Sequence, residues 1–357
     1  GLAGDAITDA DFNTAVGYQS LSNNVLGSKN VALGYSTLAS MNPASASNTF
    51  NTAVGHGAGQ VVTTGIQNTL IGGLAGDALT DADRNVAIGY EALTADDLGS
   101  RTIAVGTGAA GQQNYVSATN SHNVCIGDLA GFYNVTGVKN TWLGSAAGLG
   151  ASGQSNTSNT GIGYNAGIKI TTGGSNTLVG SLAGDALTNA DFNVAVGVDA
   201  LGICVLGSRN VAIGVSALGN TNPASAVNMI NTAMGYAAGF NVTTGTNNLL
   251  LGNDSGRSGA PGGAITTGSN IICLGDDDIA TAHIQVDWTV ASDARDKTDF
   301  TALDLGLDFV KDLQPVTYKW DKRSKYGDKY AEDYDLNAQT PDGTHKEDWL
   351  DIGFKAQ

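Results

Sequence analysis

The chain has 357 residues, of which 50 are Gly and only 6% are aromatic, so it lacks the bulk of an ordinary enzyme core. Charged residues make up 14%, and Asp plus Glu outnumber Lys plus Arg by 33 to 17, an overall field that disfavours a phosphate-backbone partner. Cys125, Cys204 and Cys273 stand too far apart for a disulfide framework or a zinc cluster, and no apolar run approaches the roughly 20 residues of a membrane span.

In chain order the first feature is a repeat. The unit is Asn-x-Ala/Leu-Val/Ile/Leu-Gly, as in Asn13-Thr14-Ala15-Val16-Gly17, Asn30-Val31-Ala32-Leu33-Gly34 and Asn51-Thr52-Ala53-Val54-Gly55. It recurs fifteen times, ending at Gly275, and nine of the fourteen intervals between closing glycines are 17 residues. The others are 19, 21 or 23, as expected where loops are inserted on one flank of a stacked coil. A longer period overlies this one, because residues 1–72 align without a gap on residues 181–252. Duplication of a block of coils accounts for that.

Each unit predicts a five-residue strand, with Asn suited to a side-chain ladder and Gly to a positive φ. Thr14 and Val16 then point to one face and Ala15 to the other, so both faces are apolar. A 17-residue coil, about 56 Å of extended chain, encloses only one of them. The expectation is an all-β fold, a trimeric parallel β-solenoid (β-roll) of about fifteen short coils. Its Ala/Leu face, including Leu70, Trp142, Leu178 and Leu250, is expected to pack against neighbouring chains.

The run Asn13-Thr14-Ala15-Val16-Gly17-Tyr18-Gln19-Ser20-Leu21 and its relatives resemble the head repeats of trimeric autotransporter adhesins and similar repeats of bacteriophage tail fibres. The resemblance covers roughly residues 1–275 and implies a left-handed parallel β-roll in a homotrimer. The 17- to 23-residue spacing is longer and less regular than that of the adhesin heads.

Charge density changes near residue 291, from 7 basic and 18 acidic residues in 1–291 to 10 and 15 in 292–357. The organisation read from this is a solenoid at 1–275, a linker at 276–291 and a small α+β segment at 292–357. That last segment carries Ser292-Asp293-Ala294-Arg295-Asp296-Lys297, then Leu313-Gln314-Pro315-Val316-Thr317-Tyr318-Lys319-Trp320, then Ile352-Gly353-Phe354-Lys355-Ala356-Gln357. Three blocks in this order resemble the intramolecular chaperone domain of phage tail fibres and tailspikes classed as peptidase family S74, of which residues 292–357 would be the N-terminal part. The family pattern usually has an apolar residue where Asp296 stands and Ile where Phe300 stands.

That resemblance implies a domain that trimerises the fibre, assists its folding and then cuts itself off. It makes Ser292 the nucleophile, Lys297 its partner and Ala291–Ser292 the scissile bond. The chemistry is sound in itself, since a serine hydroxyl becomes nucleophilic when a desolvated lysine takes its proton.

Other candidates carry less. Asp5, Asp9 and Asp11, repeated as Asp77, Asp81 and Asp83 and again as Asp185, Asn189 and Asp191, are oxygen ligands in principle but read as turn residues. Asp276-Asp277-Asp278 reads as a polar exit from the last coil, and His56, His122, His283 and His345 form no close ligand pair. Cys125 and Cys273 fill the Ala position as small packed residues. No cofactor or metal is expected.

The function read from this is the distal part of a phage tail fibre, a structural and host-receptor-binding trimer located in the virion tail. Its partners would be a host surface receptor, either polysaccharide or an outer-membrane component, and other virion tail proteins, with no nucleic acid. The inserted stretches 38–50, 107–122, 149–158, 218–230 and 255–268 are candidates for receptor contact. The alternatives are a polysaccharide-degrading tailspike, which needs paired carboxylates, and a bacterial trimeric adhesin head.

Overall fold

The computed structural model describes residues 1–284, 316–319, 321–322, 326, 338–346, 348 and 351–353. The chain divides into two compact units, Gly1–Ala282 and His283–Gln357. The first is a parallel β-solenoid. Fifteen strands, from Thr14–Val16 to Ile272–Leu274, form one parallel sheet, each paired in register with the strand one coil on. The strands therefore bound fourteen turns, and no helix occurs among the described residues of this unit.

Each strand is three residues long and not five, because its flanking Asn and Gly have other tasks. The Asn side chains form a buried ladder. Asn68 Oδ1 accepts the Asn85 N–H at 2.9 Å, while its Nδ2 donates to the Ala82 carbonyl at 2.8 Å. Asn51 and Asn176 repeat the pattern on their own neighbours. A buried backbone N–H and a corner carbonyl are thereby paired at each of these levels. At the other end of the strand Gly72 has φ +136°, and a Cβ placed there would lie 2.4 Å from the carbonyl oxygen of Gly89. The same approach recurs up the column, so Gly is required by contact as well as by φ.

The face that turns inward is the reverse of the sequence expectation. Ala32, Ala53, Leu70, Ala87, Trp142, Leu178 and Leu250 are fully buried within the single chain. Thr, Val and Ile of the same strands point outward, with Val16 53%, Met234 47% and Ile272 63% exposed. The reason is width: the strand centre contributes one side chain per level to an interior it shares with corner residues such as Ala75, Leu79 and Ala82, and a large ring enters only where a neighbour gives way. Trp142 fits because Gly161 stands on the next coil, where a Cβ would fall 2.3 Å from the indole ring.

A second departure lies at the corners. Thirty-four described residues other than Gly have φ between +49° and +66°, in columns such as Lys29, Arg84 and Arg101. Left-handed backbone is unfavourable for these residues in isolation. Here it is over-determined by hydrogen bonds to the preceding coil, for example Arg84 N–H to Ile66 O at 2.9 Å and Arg101 N–H to Asp83 O at 3.0 Å.

Residues in the second unit pair Val316–Tyr318 antiparallel with Asp351–Gly353. Asp321 accepts from Tyr326 Oη at 2.8 Å and from the Gly343 N–H at 2.7 Å, which ties the Asp342–Thr344 turn to that ring. Any helical part of the expected α+β segment lies outside the described residues.

The ladder yields a test. Asn68→Ala leaves the buried Asn85 N–H and Ala82 carbonyl without partners, a loss of about 3 kcal/mol. The guanidinium midpoint is expected to fall accordingly, and an unchanged midpoint would show that the ladder does not hold the coils.

Candidate functional site

Three regions bear on function: the C-terminal blocks, the outer surface of the solenoid, and one buried polar cluster. Ala291, Ser292 and Lys297 lie outside the described residues. Two of the three blocks that carry the chaperone resemblance are described in part, and they meet. Val316 pairs with Gly353, Thr317 with Ile352 and Tyr318 with Asp351.

On the solenoid, several of the acidic turn residues are ties between coils. Asp83 Oδ1 accepts the Ile66 N–H at 2.8 Å and Asp191 Oδ1 accepts the Gly174 N–H at 2.7 Å. Thr94 donates to Asp77 at 2.6 Å, and Thr64 donates to Asp81. Asp276 takes the Asn253 amide at 2.8 Å. Among the described residues no three His, Cys, Asp or Glu side chains gather as a metal set. All three cysteines are buried and free, and burial pushes the thiols of Cys125 and Cys204 up to about 12 and about 11. Neither is a nucleophile at neutral pH.

The inserted stretches combine buried segments with exposed tips. Ala44–Ala46, Val116–Ala118, Ala151–Gln154 and Ala224–Asn228 are exposed, and Val116 is 97% so. Three of them, all but Ala151–Gln154, adjoin short parallel pairs, Gly27–Ser28 with Ser47–Asn48, Gly99–Ser100 with Thr119–Asn120 and Gly207–Ser208 with Val227–Asn228. An exposed tip on a paired base suits recognition.

The buried cluster was not anticipated from the sequence. At Thr102 the repeat lacks its Asn, so the ladder is interrupted and other groups fill the gap. Ser121 Oγ replaces the missing amide oxygen by accepting the Asn123 N–H at 3.2 Å, and sits 2.6 Å from Thr102 Oγ1. Gln113 Nε2 donates to both Thr102 Oγ1 and Asp96 Oδ2 at 2.7 Å, and its Oε1 accepts from Asn123 at 2.8 Å. Tyr115 Oη donates to the Gly137 carbonyl at 2.8 Å. Asp96, with no exposed surface, has its carboxyl raised to about 6 by desolvation, against the lowering effect of Gln113 and the Gly99 N–H. The signal in the sequence was the Thr at the one internal ladder position where Asn is expected, with Asp96 and Gln113 beside it.

Comparison with known proteins adds one assignment. Residues 292–357 match the family model of Peptidase S74, described as the chaperone of endosialidase. No curated protein and no solved structure matches the chain. A parallel β-solenoid followed by a chaperone-of-endosialidase domain fits a protein of the tail-fibre or tailspike type.

Asp96 gives a pH test. The unfolded chain releases this proton near 3.8 and the folded chain holds it to about 6, so the folded state binds more protons between those values. Stability from this group is complete at low pH and declines as pH rises from about 4 to 6, by about 3 kcal/mol. Asn occupies the corresponding corner at Asn24 and Asn134, where it bonds Gly27 and Gly137. Thermal midpoints of wild type and Asp96→Asn, measured from pH 4 to 7.5, are expected to converge at the acid end and to separate in favour of the variant above pH 6. Parallel curves would reject the assignment.

Proposed function

We propose that this chain is the distal part of a bacteriophage tail fibre, a structural and receptor-binding homotrimer that ends in a self-processing intramolecular chaperone. The observation that carries the reading is the occurrence, in one chain, of a solenoid with an apolar outer strand face and a C-terminal match to the chaperone of endosialidase. An apolar strip running the length of a coil stack calls for cover by other chains, and a trimerising chaperone brings three together. The exposed loops on their anchored bases are the receptor-contacting elements. A polysaccharide-degrading tailspike gains no support from the acids, since Asp77, Asp83 and Asp191 are engaged as ties between coils.

In the processing step, Ser292 Oγ attacks the Ala291 carbonyl as Lys297 Nζ takes its proton. The C–N bond between Ala291 and Ser292 then breaks, with the proton passing to the departing Ser292 amine, and water hydrolyses the resulting Ala291 ester to a carboxylate while restoring the hydroxyl. A lysine in water, with a pKa of about 10.4, is a poor base at neutral pH, so desolvation in the folded domain is what licenses the cut. Cleavage thereby follows assembly.

In the natural full-length protein, mass spectrometry is expected to find a cut between Ala291 and Ser292. Ser292→Ala and Lys297→Ala each abolish it while the protein still elutes as a trimer on light-scattering chromatography. A Ser292→Ala protein cut at this bond would reject the dyad, and a stable monomer would reject the fibre.

A further inference from the structure

Two columns of side chains border the outer strand face, one just before each strand and one just after. The column before it, at the residue preceding the ladder Asn, holds Lys29, Arg84, Arg101, Lys139 and Arg209, five of the seven basic residues in 1–291. Phe12, Phe50, Phe192 and Ile230 fill other levels of the same column and are exposed, Phe12 by 82%. All have left-handed φ, and backbone bonds such as Lys29 N–H to Asp11 O at 2.9 Å hold successive levels over one another. Lys29 lies 5.0 Å from the Phe50 ring centre and Arg209 5.3 Å from that of Phe192.

The column after the strand is aromatic and acidic. Tyr18, Tyr35 and His56 stack at 5.5 and 5.1 Å, and Tyr90, Tyr164 and Tyr236 are exposed higher up. Glu91, Asp128 and Asp199 stand in or beside it. Between the columns runs the apolar strip of Val, Ile and Leu. Near its end a groove of about 400 Å³ opens beside the first column, lined by Ile230, Thr232, Asn247, Leu249, Asn270 and Ile272.

We propose that the column before the strand in one copy docks, level by level, on the column after the strand in the next copy, with Tyr236 of the adjacent copy seated against the groove beside Ile230. The proposal rests on the trimer reading above and assigns its interface. Charge and chemistry decide the direction of packing. In an antiparallel pair the first column meets itself, basic residues against basic residues. In a parallel pair no basic residue meets another: Lys29 meets Tyr35 and Arg84 meets Tyr90 and Glu91, favourable partners, while Arg101, Lys139 and Arg209 meet the uncharged Thr107, Ser145 and Val215. Symmetry decides the register, because a head-to-tail contact closes into a ring only when successive copies are not displaced along the axis. Residues of the same coil therefore face one another: Phe12 and Tyr18, Lys29 and Tyr35, Arg84 and Tyr90 with Glu91, Ile230 and Tyr236.

Disulfide trapping on the full chain tests this. Ile230 and Tyr236 are separated by six residues of extended chain, about 20 Å, so cysteines there cannot join within one copy. The Ile230→Cys/Tyr236→Cys variant, oxidised with diamide, is expected to run as a covalent trimer on a non-reducing denaturing gel. Phe12→Cys/Tyr18→Cys at the other end should behave alike, and Ile230→Cys/Tyr164→Cys, four coils out of step, should not. Both in-step pairs replace exposed side chains, and an unfolding midpoint like that of wild type confirms that the variants fold. A light-scattering trimer in which neither in-step pair joins would overturn the column pairing and leave the trimer standing. A monomer would overturn both.

Discussion

The fold depends on the pairing of buried backbone groups between stacked coils. Seventeen residues enclose a small interior, filled in one coil by Asn68, Leu70, Ala75, Leu79 and Ala82, so an N–H or carbonyl turned inward must find its partner within the coil or on the coil above or below. The Asn ladder meets that need with one residue type. Its amide accepts from the next ladder residue and donates to a corner carbonyl fourteen residues on, as Asn51, Asn68 and Asn176 do. The same group repeats at most steps, so successive levels share their ladder geometry and the stack extends with few defects.

Narrowness also sorts the side chains. Ala fits at the strand centre, and larger residues fit only in exchange for space elsewhere, as Trp142 does against Gly161. The β-branched residues that give the strands their propensity are left outside. A soluble monomer seldom carries so long an apolar strip. Coil width thus settles both which side chains fill the solenoid and which apolar side chains remain on its outer face.

Where the ladder lapses, at Thr102, the cost of an unpaired group is met by a local network and not by an apolar plug. Asp96, Gln113, Tyr115, Ser121 and Asn123 satisfy one another around the vacancy. A buried carboxylate is an expensive member of such a network, and its raised pKa is the physical mark of that expense. The adjoining stretch, Val116–Ala118, is one of the exposed loops, so the irregular coil underlies an irregular surface.

The sequence alone determined the parts that follow from repetition. The 17-residue step, the Asn ladder, the positive φ at the closing Gly and the parallel stack are each dictated by a residue type recurring at one position. The C-terminal blocks were legible for a different reason, since their order identified a domain, and the Val316–Tyr318 and Asp351–Gly353 pairing brings two of them together. Which face turns inward was decided only by tertiary structure. Alternation along a strand separates two faces but is silent on which one the coil can enclose, and that depends on width. The left-handed corners at Arg84 and Leu93 were equally hidden, because no Gly marks them and bonds from neighbouring coils impose them. The Asp96 cluster escaped for the same reason: its members are as much as 27 residues apart in sequence, and only the stacking of three coils makes them neighbours.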